Sequence, residues 1–180
     1  KNDKIILEFV NYLSYERNFS KNTIRSYKND LVQFDLFLKK YDKSLNFLKI
    51  DKTAIQFYIQ HCSKKGVSDK TLLRKVATIK SLFRYLTEND FVDFNISSLI
   101  SSPKIAKKIP HYLSKTQIKE LMSLPDLDTK TGYMHKSILE VFYSTGLRIS
   151  ELVRIKICDL NMQKKIIKVL GKGNKERMVI

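Results

Sequence analysis

STGLRISELVRIK, residues Ser144–Lys156, sets Arg148 and Glu151 among greasy neighbours. Arg148 and Glu151 are three residues apart, a spacing that puts both on one face of a helix and within reach of each other. Leu147, Ile149, Leu152 and Val153 supply the apolar surroundings. The pair has two readings. It is an ordinary intrahelical ion pair, or Glu151 orients an arginine whose planar fork grips phosphate oxygens bidentately. Spacing alone does not choose between them.

Downstream of the acidic turn Cys158-Asp-Leu-Asn161 the residues become β-type. Lys165–Leu170 and Lys175–Ile180 flank Gly171-Lys-Gly-Asn174, which predicts a hairpin with Lys172 on its tip. Two strands alone are marginal, so a third should precede them or pack against the helices. The turn is not a P-loop, since the GxxxxGK[ST] pattern is absent. A turn lysine is usually a solvated bystander. Following a phosphate-type arginine, it could instead enter a groove and donate a proton to a leaving oxygen.

Upstream, a helix runs from about Tyr133 to Ser144, ends at Gly146, and gives way to another over Leu147–Ile155. Ser114-Lys-Thr-Gln117 forms a capping box ahead of Ile118 and Leu121. Residues 101–112, SSPKIAKKIPHY, hold two of the three prolines and three lysines without an apolar period, and they read as a basic linker. Before it the periodicity is helical. One stripe carries Ile5, Phe9 and Leu13, and a longer one, capped by Ser20, carries Ile24, Tyr27, Leu31, Phe34, Leu38 and Tyr41. Asp51 caps a third helix with Ile55 and Tyr58 facing inward. Ser68 opens a fourth with Leu72, Val76, Ile79, Leu82, Phe83 and Leu86, and a short fifth segment is possible near Phe91–Ile100.

Charge is the loudest compositional feature: 34 Lys+Arg against 18 Asp+Glu give a formal net of +16 over 180 residues. A basic excess of this size attracts polyanions, nucleic acid foremost, unless it merely reflects lysine-rich coding spread over every surface. No apolar run approaches the ~18–20 residues that span a bilayer. The start, KNDKIILEFV, lacks the features of a signal peptide. Beginning on Lys and ending on MVI, the chain is expected to be part of something longer. Cys62 and Cys158 are far apart, which favours a reduced intracellular protein, and the scattered His61, His111 and His135 give a metal site little support.

The second half resembles the catalytic domain of the tyrosine site-specific recombinases, the phage integrase family, nearest its Xer type. The resemblance is carried by STGLRISELVRIK, by CDLN and by VLGKGNKERMVI (Val169–Ile180). The first half is similar to that family's N-terminal core-binding domain over Phe19–Leu38 and Ser68–Leu86. Pro110, Leu113 and Ser114 after the linker fit as well.

The resemblance implies a mainly α protein. Residues 1–100 would be a four-helix, SAM-like core-binding domain, 101–112 the linker, and 113–180 the α+β first part of the catalytic domain with a small antiparallel sheet. Arg148 would hold the scissile phosphate, Glu151 would orient it, and Lys172 would protonate the departing 5′-oxygen. Arg25, Lys28, Arg74, Lys75, Lys80, Lys175 and Arg177 would contact DNA. The expected partners are a duplex with an AT-rich inverted-repeat site and sister protomers in a tetramer. No metal, small-molecule cofactor or membrane is expected, and the location is cytoplasmic. The family's later elements, including its nucleophilic Tyr, would lie past Ile180, so these residues should bind DNA without cutting it. Tyr143, nearest Arg148, reads as core. A non-catalytic integrase-like architectural protein and a phage or transposon integrase remain open alternatives.

Overall fold

The apolar stripes of the first half form four helices. The computed structural model describes residues 2–103, 111–171 and 175–180, and the chain divides into two units, Lys1–Lys107 and Lys108–Ile180. In the first unit α1 spans Asn2–Tyr15, α2 Lys21–Tyr41, α3 Lys52–Lys64 and α4 Asp69–Glu88. Ser20 and Asp51 cap α2 and α3 by accepting the N–H of Thr23 and Ala54, at 3.2 and 2.8 Å. Ser68 precedes α4 without a side-chain cap bond. The segment expected near Phe91–Ile100 is a single 3-10 turn, Ile96–Leu99.

Facing stripes meet in a core of Phe9, Leu13, Leu31, Phe34, Leu38, Phe47, Ile55, Leu82, Phe83 and Leu86, all almost fully buried. Phe34 stacks on Phe47 at 5.7 Å and meets Tyr58 at 4.8 Å. Tyr41, at the end of the α2 stripe, stays half exposed.

Two carboxylates on α2 are buried beside this core. Asp30 accepts hydrogen bonds from three α4 side chains: Arg74, the Lys75 ammonium at 3.2 Å and the Thr78 hydroxyl at 3.1 Å. Lys75 is itself buried, and its ammonium also donates to Gln33 at 2.7 Å. Asp35 accepts from Asn2 on α1 and pairs with Lys39 at 2.7 Å. A buried charge persists only when paired and hydrogen-bonded, so these contacts fix how α1 and α4 sit against α2.

The second unit opens with α5 (Lys115–Ser123), whose expected capping box is present. Ser114 accepts the Gln117 N–H at 3.2 Å, and the Gln117 side chain accepts the Ser114 N–H at 2.9 Å. Next come α6 (Lys130–Thr145) and α7, which covers only Ile149–Leu152 rather than the longer helix expected to Ile155. A 3-10 turn at Ile157–Asp159 leads into a three-stranded antiparallel sheet, β1 (Leu160–Asn161), β2 (Ile166–Leu170) and β3 (Glu176–Val179). The preceding strand required by the hairpin is therefore β1. In register, Val169 lies opposite Arg177 and Leu170 opposite Glu176. Among the described residues of this unit, Leu147 and Val169 are the buried apolar side chains. Tyr143, expected as core, is 67% exposed on α6. Most of the expected linker (104–110) and the turn residues 172–174 lie outside the described residues.

Asp30→Ala should lower stability by about 3–5 kcal/mol, because it leaves the Lys75 ammonium buried without its counter-charge. Lys28→Ala, at an exposed position, should stay within ~0.5 kcal/mol. Urea unfolding followed by helical circular dichroism checks both. A loss below ~1 kcal/mol for Asp30→Ala would mean that Lys75 is satisfied without it.

Candidate functional site

Arg148 is presented by a sharp change of chain direction. Helix α6 ends on Gly146 in the left-handed region (φ 62°, ψ 26°), its N–H donating to the Phe142 carbonyl at 3.0 Å. Glycine adopts that conformation without Cβ strain. Leu147 then turns inward and anchors the loop, and Arg148 follows in extended geometry as the N-cap of α7.

Glu151 lies one turn further on, 5% exposed, with both oxygens engaged. One oxygen accepts the Arg148 backbone N–H at 2.8 Å and a guanidinium N–H of Arg177 at 2.8 Å. The other accepts Arg148 Nη1 and Arg177 Nη1, each at 2.9 Å. Arg177 thus takes the fork-to-fork position, while Arg148 touches the carboxylate through one side-chain nitrogen. The Arg148 side chain remains 68% exposed, against 39% for Arg177. A guanidinium carries five N–H donors. Arg148 therefore keeps most of its donors for a group arriving from outside.

Gly171, at the end of β2, lies beside this carboxylate. The Gly171 N–H donates to the Lys175 carbonyl at 2.8 Å. A Cβ added at Gly171 would stand 3.0 Å from Arg177 Nη1 and 3.6 Å from Glu151 Oε1. The glycine thereby leaves room for the bridge between α7 and β3. Lys172 itself lies outside the described residues, and Lys175 is exposed at the start of the second stem.

Hydrogen bonds from Arg177 first, then from the Arg148 backbone, hold the Glu151 carboxyl at about 2, below its ordinary 4.5. The same contact raises Arg177 above its ordinary value. The carboxylate stays charged throughout the physiological range, so the site holds two cations and one anion. That leaves a local positive surplus facing outward through Arg148.

In the first unit, Arg25 and Lys28 are exposed on α2. Arg74 and Lys75 behave differently from the expectation. Arg74 bonds to Asp30 and to the Ser26 carbonyl, and Lys75 is buried, so Lys75 is corrected from a DNA contact to an internal counter-ion. Arg177 is likewise turned onto Glu151 rather than outward. Lys80 is half-buried and donates to Ser102 at 3.3 Å. It lines a hollow of about 340 Å³ with Arg17, Arg84, Tyr12, Tyr27 and Tyr85. Arg17 and Arg84 were missed in the sequence. Arg84 was legible as the i+4 neighbour of Lys80 on one helix face, whereas only tertiary packing brings Arg17 to the hollow.

Two family models match in order along the chain: the phage integrase N-terminal SAM-like domain over residues 6–90, and the phage integrase family over residues 111–180. Tyrosine recombinase XerD of Staphylococcus haemolyticus is 34% identical over 98% of this chain and 60% of its own length. Tyrosine recombinase XerC of Thermodesulfovibrio yellowstonii is 37% identical over 97% of this chain and 56% of its own. A lambda integrase dimer bound to a COC′ core site shares the fold with a TM-score of 0.72 at 14% identity, over 99% of this chain and 61% of that one. The chain belongs to the phage integrase family, the tyrosine recombinases. It spans about 60% of the length of the first of these relatives. Among the described residues, no helix is long and apolar enough to cross a membrane.

A carboxylate whose folded pKa lies below its unfolded value contributes stability that is complete above the unfolded value and vanishes as pH falls through the folded one. The contribution of Glu151 should therefore be full above about 4.5 and lost on approach to about 2. Thermal melts of the chain and of Glu151→Gln, compared between pH 6 and pH 2, should differ at the upper end and converge at the lower. A gap independent of pH would show that the Glu151 charge plays no part.

Proposed function

We propose that these 180 residues bind duplex DNA and hold one backbone phosphate through Arg148, as part of a protein that recombines DNA at a specific site. In this reading residues 1–100 are the core-binding domain, 101–112 the linker, and 113–180 the first part of the catalytic domain. The observation that carries it is the Arg148 guanidinium, exposed yet braced by a buried carboxylate that Arg177 also neutralises. Fixed donors aimed at a transferring phosphoryl group stabilise the charge that builds on its oxygens.

The reaction is a transesterification. A tyrosine oxygen from outside these residues forms a bond to phosphorus while the bond to the DNA 5′-oxygen breaks, leaving a 3′-phosphotyrosine. Lys172 gives its proton to the departing oxygen. No metal or nucleotide is needed, because the phosphotyrosine bond conserves the energy of the phosphodiester. Arg25, Lys28, Arg74 and Lys80 on the first unit, joined by Arg17 and Arg84, and Lys175 on the second, supply backbone contacts. The partners are an AT-rich inverted-repeat duplex and sister protomers in a tetramer, and the work is Xer-like resolution of chromosome dimers in the cytoplasm.

In the full-length protein, Arg148→Ala and Lys172→Ala should each lower DNA cleavage at least ~10²-fold. Binding of the duplex in a gel-shift assay should be largely retained. For the 180-residue chain, affinity should fall steeply with salt, and Arg25→Ala should flatten the log–log slope by about one. Cleavage untouched by Arg148→Ala would remove the catalytic reading. Full-length protein that binds but never cleaves would leave a DNA-binding architectural protein instead.

A further inference from the structure

The bridge at Glu151 has an asymmetry that an ion pair alone does not explain. Its two oxygens accept four hydrogen bonds, which fills the acceptor positions of a carboxylate. The Arg177 side chain occupies both oxygens, whereas the Arg148 side chain reaches one of them with one nitrogen. We propose that Arg177 is a positioning residue: by taking the fork-to-fork place on Glu151 it prevents Arg148 from doing so, and keeps the Arg148 guanidinium available to a phosphate. The proposal rests on the reading of Arg148 as the phosphate holder.

The physical argument is a competition between two cations for one anion. A buried carboxylate recruits whatever cation can reach it, because leaving it unpaired is costly. Arginine prefers the bidentate arrangement. With Arg148 as sole partner, the charges would cancel and its fork would close on Glu151, the geometry it would otherwise offer to phosphate. Arg177 alters that balance. It springs from β3 opposite buried Val169, so its backbone is fixed by the ladder. It also sits deeper than Arg148, at 39% against 68% side-chain exposure. Gly171 clears its path, since a Cβ there would stand 3.0 Å from Arg177 Nη1. Strand register, glycine and guanidinium thus converge on one task, the occupation of Glu151. The Arg148 backbone N–H on Glu151 holds the start of α7 in place at the same time, so the arginine is anchored at its backbone while its side chain extends.

Side-chain nitrogen NMR of the 180-residue chain tests this, with a short duplex DNA as the probe. In the unaltered chain the Arg148 Nε–H resonance should move on addition of DNA, and that of Arg177 should not. In Arg177→Met the Arg148 response should weaken about ten-fold in apparent affinity, the loss expected when roughly nine-tenths of the molecules hold Arg148 closed on Glu151. Arg177→Met with Glu151→Gln removes the competing charge and should restore the response. Arg177→Lys keeps a cation on Glu151 and should retain most of it. This variant carries the test if the backbone spectrum shows that Arg177→Met disturbs the hairpin.

An Arg148 resonance that ignores DNA in the unaltered chain removes the reading of Arg148 as phosphate holder, and the proposal with it. A response that survives Arg177→Met undiminished overturns the positioning role alone. So does an Arg177 resonance that itself moves with DNA, or a loss that Glu151→Gln does not restore.

Discussion

A single buried carboxylate organises the second unit. Glu151 is shielded from solvent, stays ionised, and joins the short helix α7 to strand β3 through Arg177. Leu147 and Val169 are the buried apolar side chains among the described residues of this unit, and the bridge ties α7 to β3. Hydrogen bonds in a water-poor setting are strong when every partner is present and costly when one is missing. The rest of the site inherits its geometry from that fact. The outward direction of Arg148, the close approach at Gly171 and the placing of the hairpin stems all follow from satisfying one anion.

The first unit uses the same chemistry for a different end. Asp30 and Asp35 sit on α2 beside an ordinary apolar core and draw in side chains from α1 and α4. Two residues of a strongly basic chain are thereby turned to internal work, Lys75 wholly and Arg74 in part. Net charge gives the attraction to a polyanion. The buried carboxylates decide which cations remain on the surface to exert it. Arg25 and Lys28 stay exposed, and Lys80 joins Arg17 and Arg84 around a tyrosine-lined hollow.

Helices were legible where apolar periodicity and caps agreed. The stripes of α2 and α4, the Ser20 and Asp51 caps and the box at Ser114–Gln117 all needed only local rules. The helix expected over Leu147–Ile155 stops at Leu152. Its apolar residues there suggested a continuing face, yet Val153 and Ile157 are exposed and the chain turns toward the sheet. Tyr143 misled for the same reason: an aromatic next to an apolar run looks like core, and burial depends on what packs over it. The resemblance placed Arg74, Lys75 and Arg177 on a binding surface. Their partners lie 44, 45 and 26 residues away in the chain, beyond any local pattern.

The sequence by itself determined the succession of elements, the basic character, the likeness to the integrase family, and the pairing of Arg148 with Glu151. These depend on residues within a turn or two of one another, where spacing translates directly into geometry. Only the tertiary structure decided which cations face outward and which are internal counter-ions, and that Glu151 serves two arginines rather than one. The physical reason is that an ion's role is set by the charge it meets and by the water it loses, and both are supplied by distant parts of the chain.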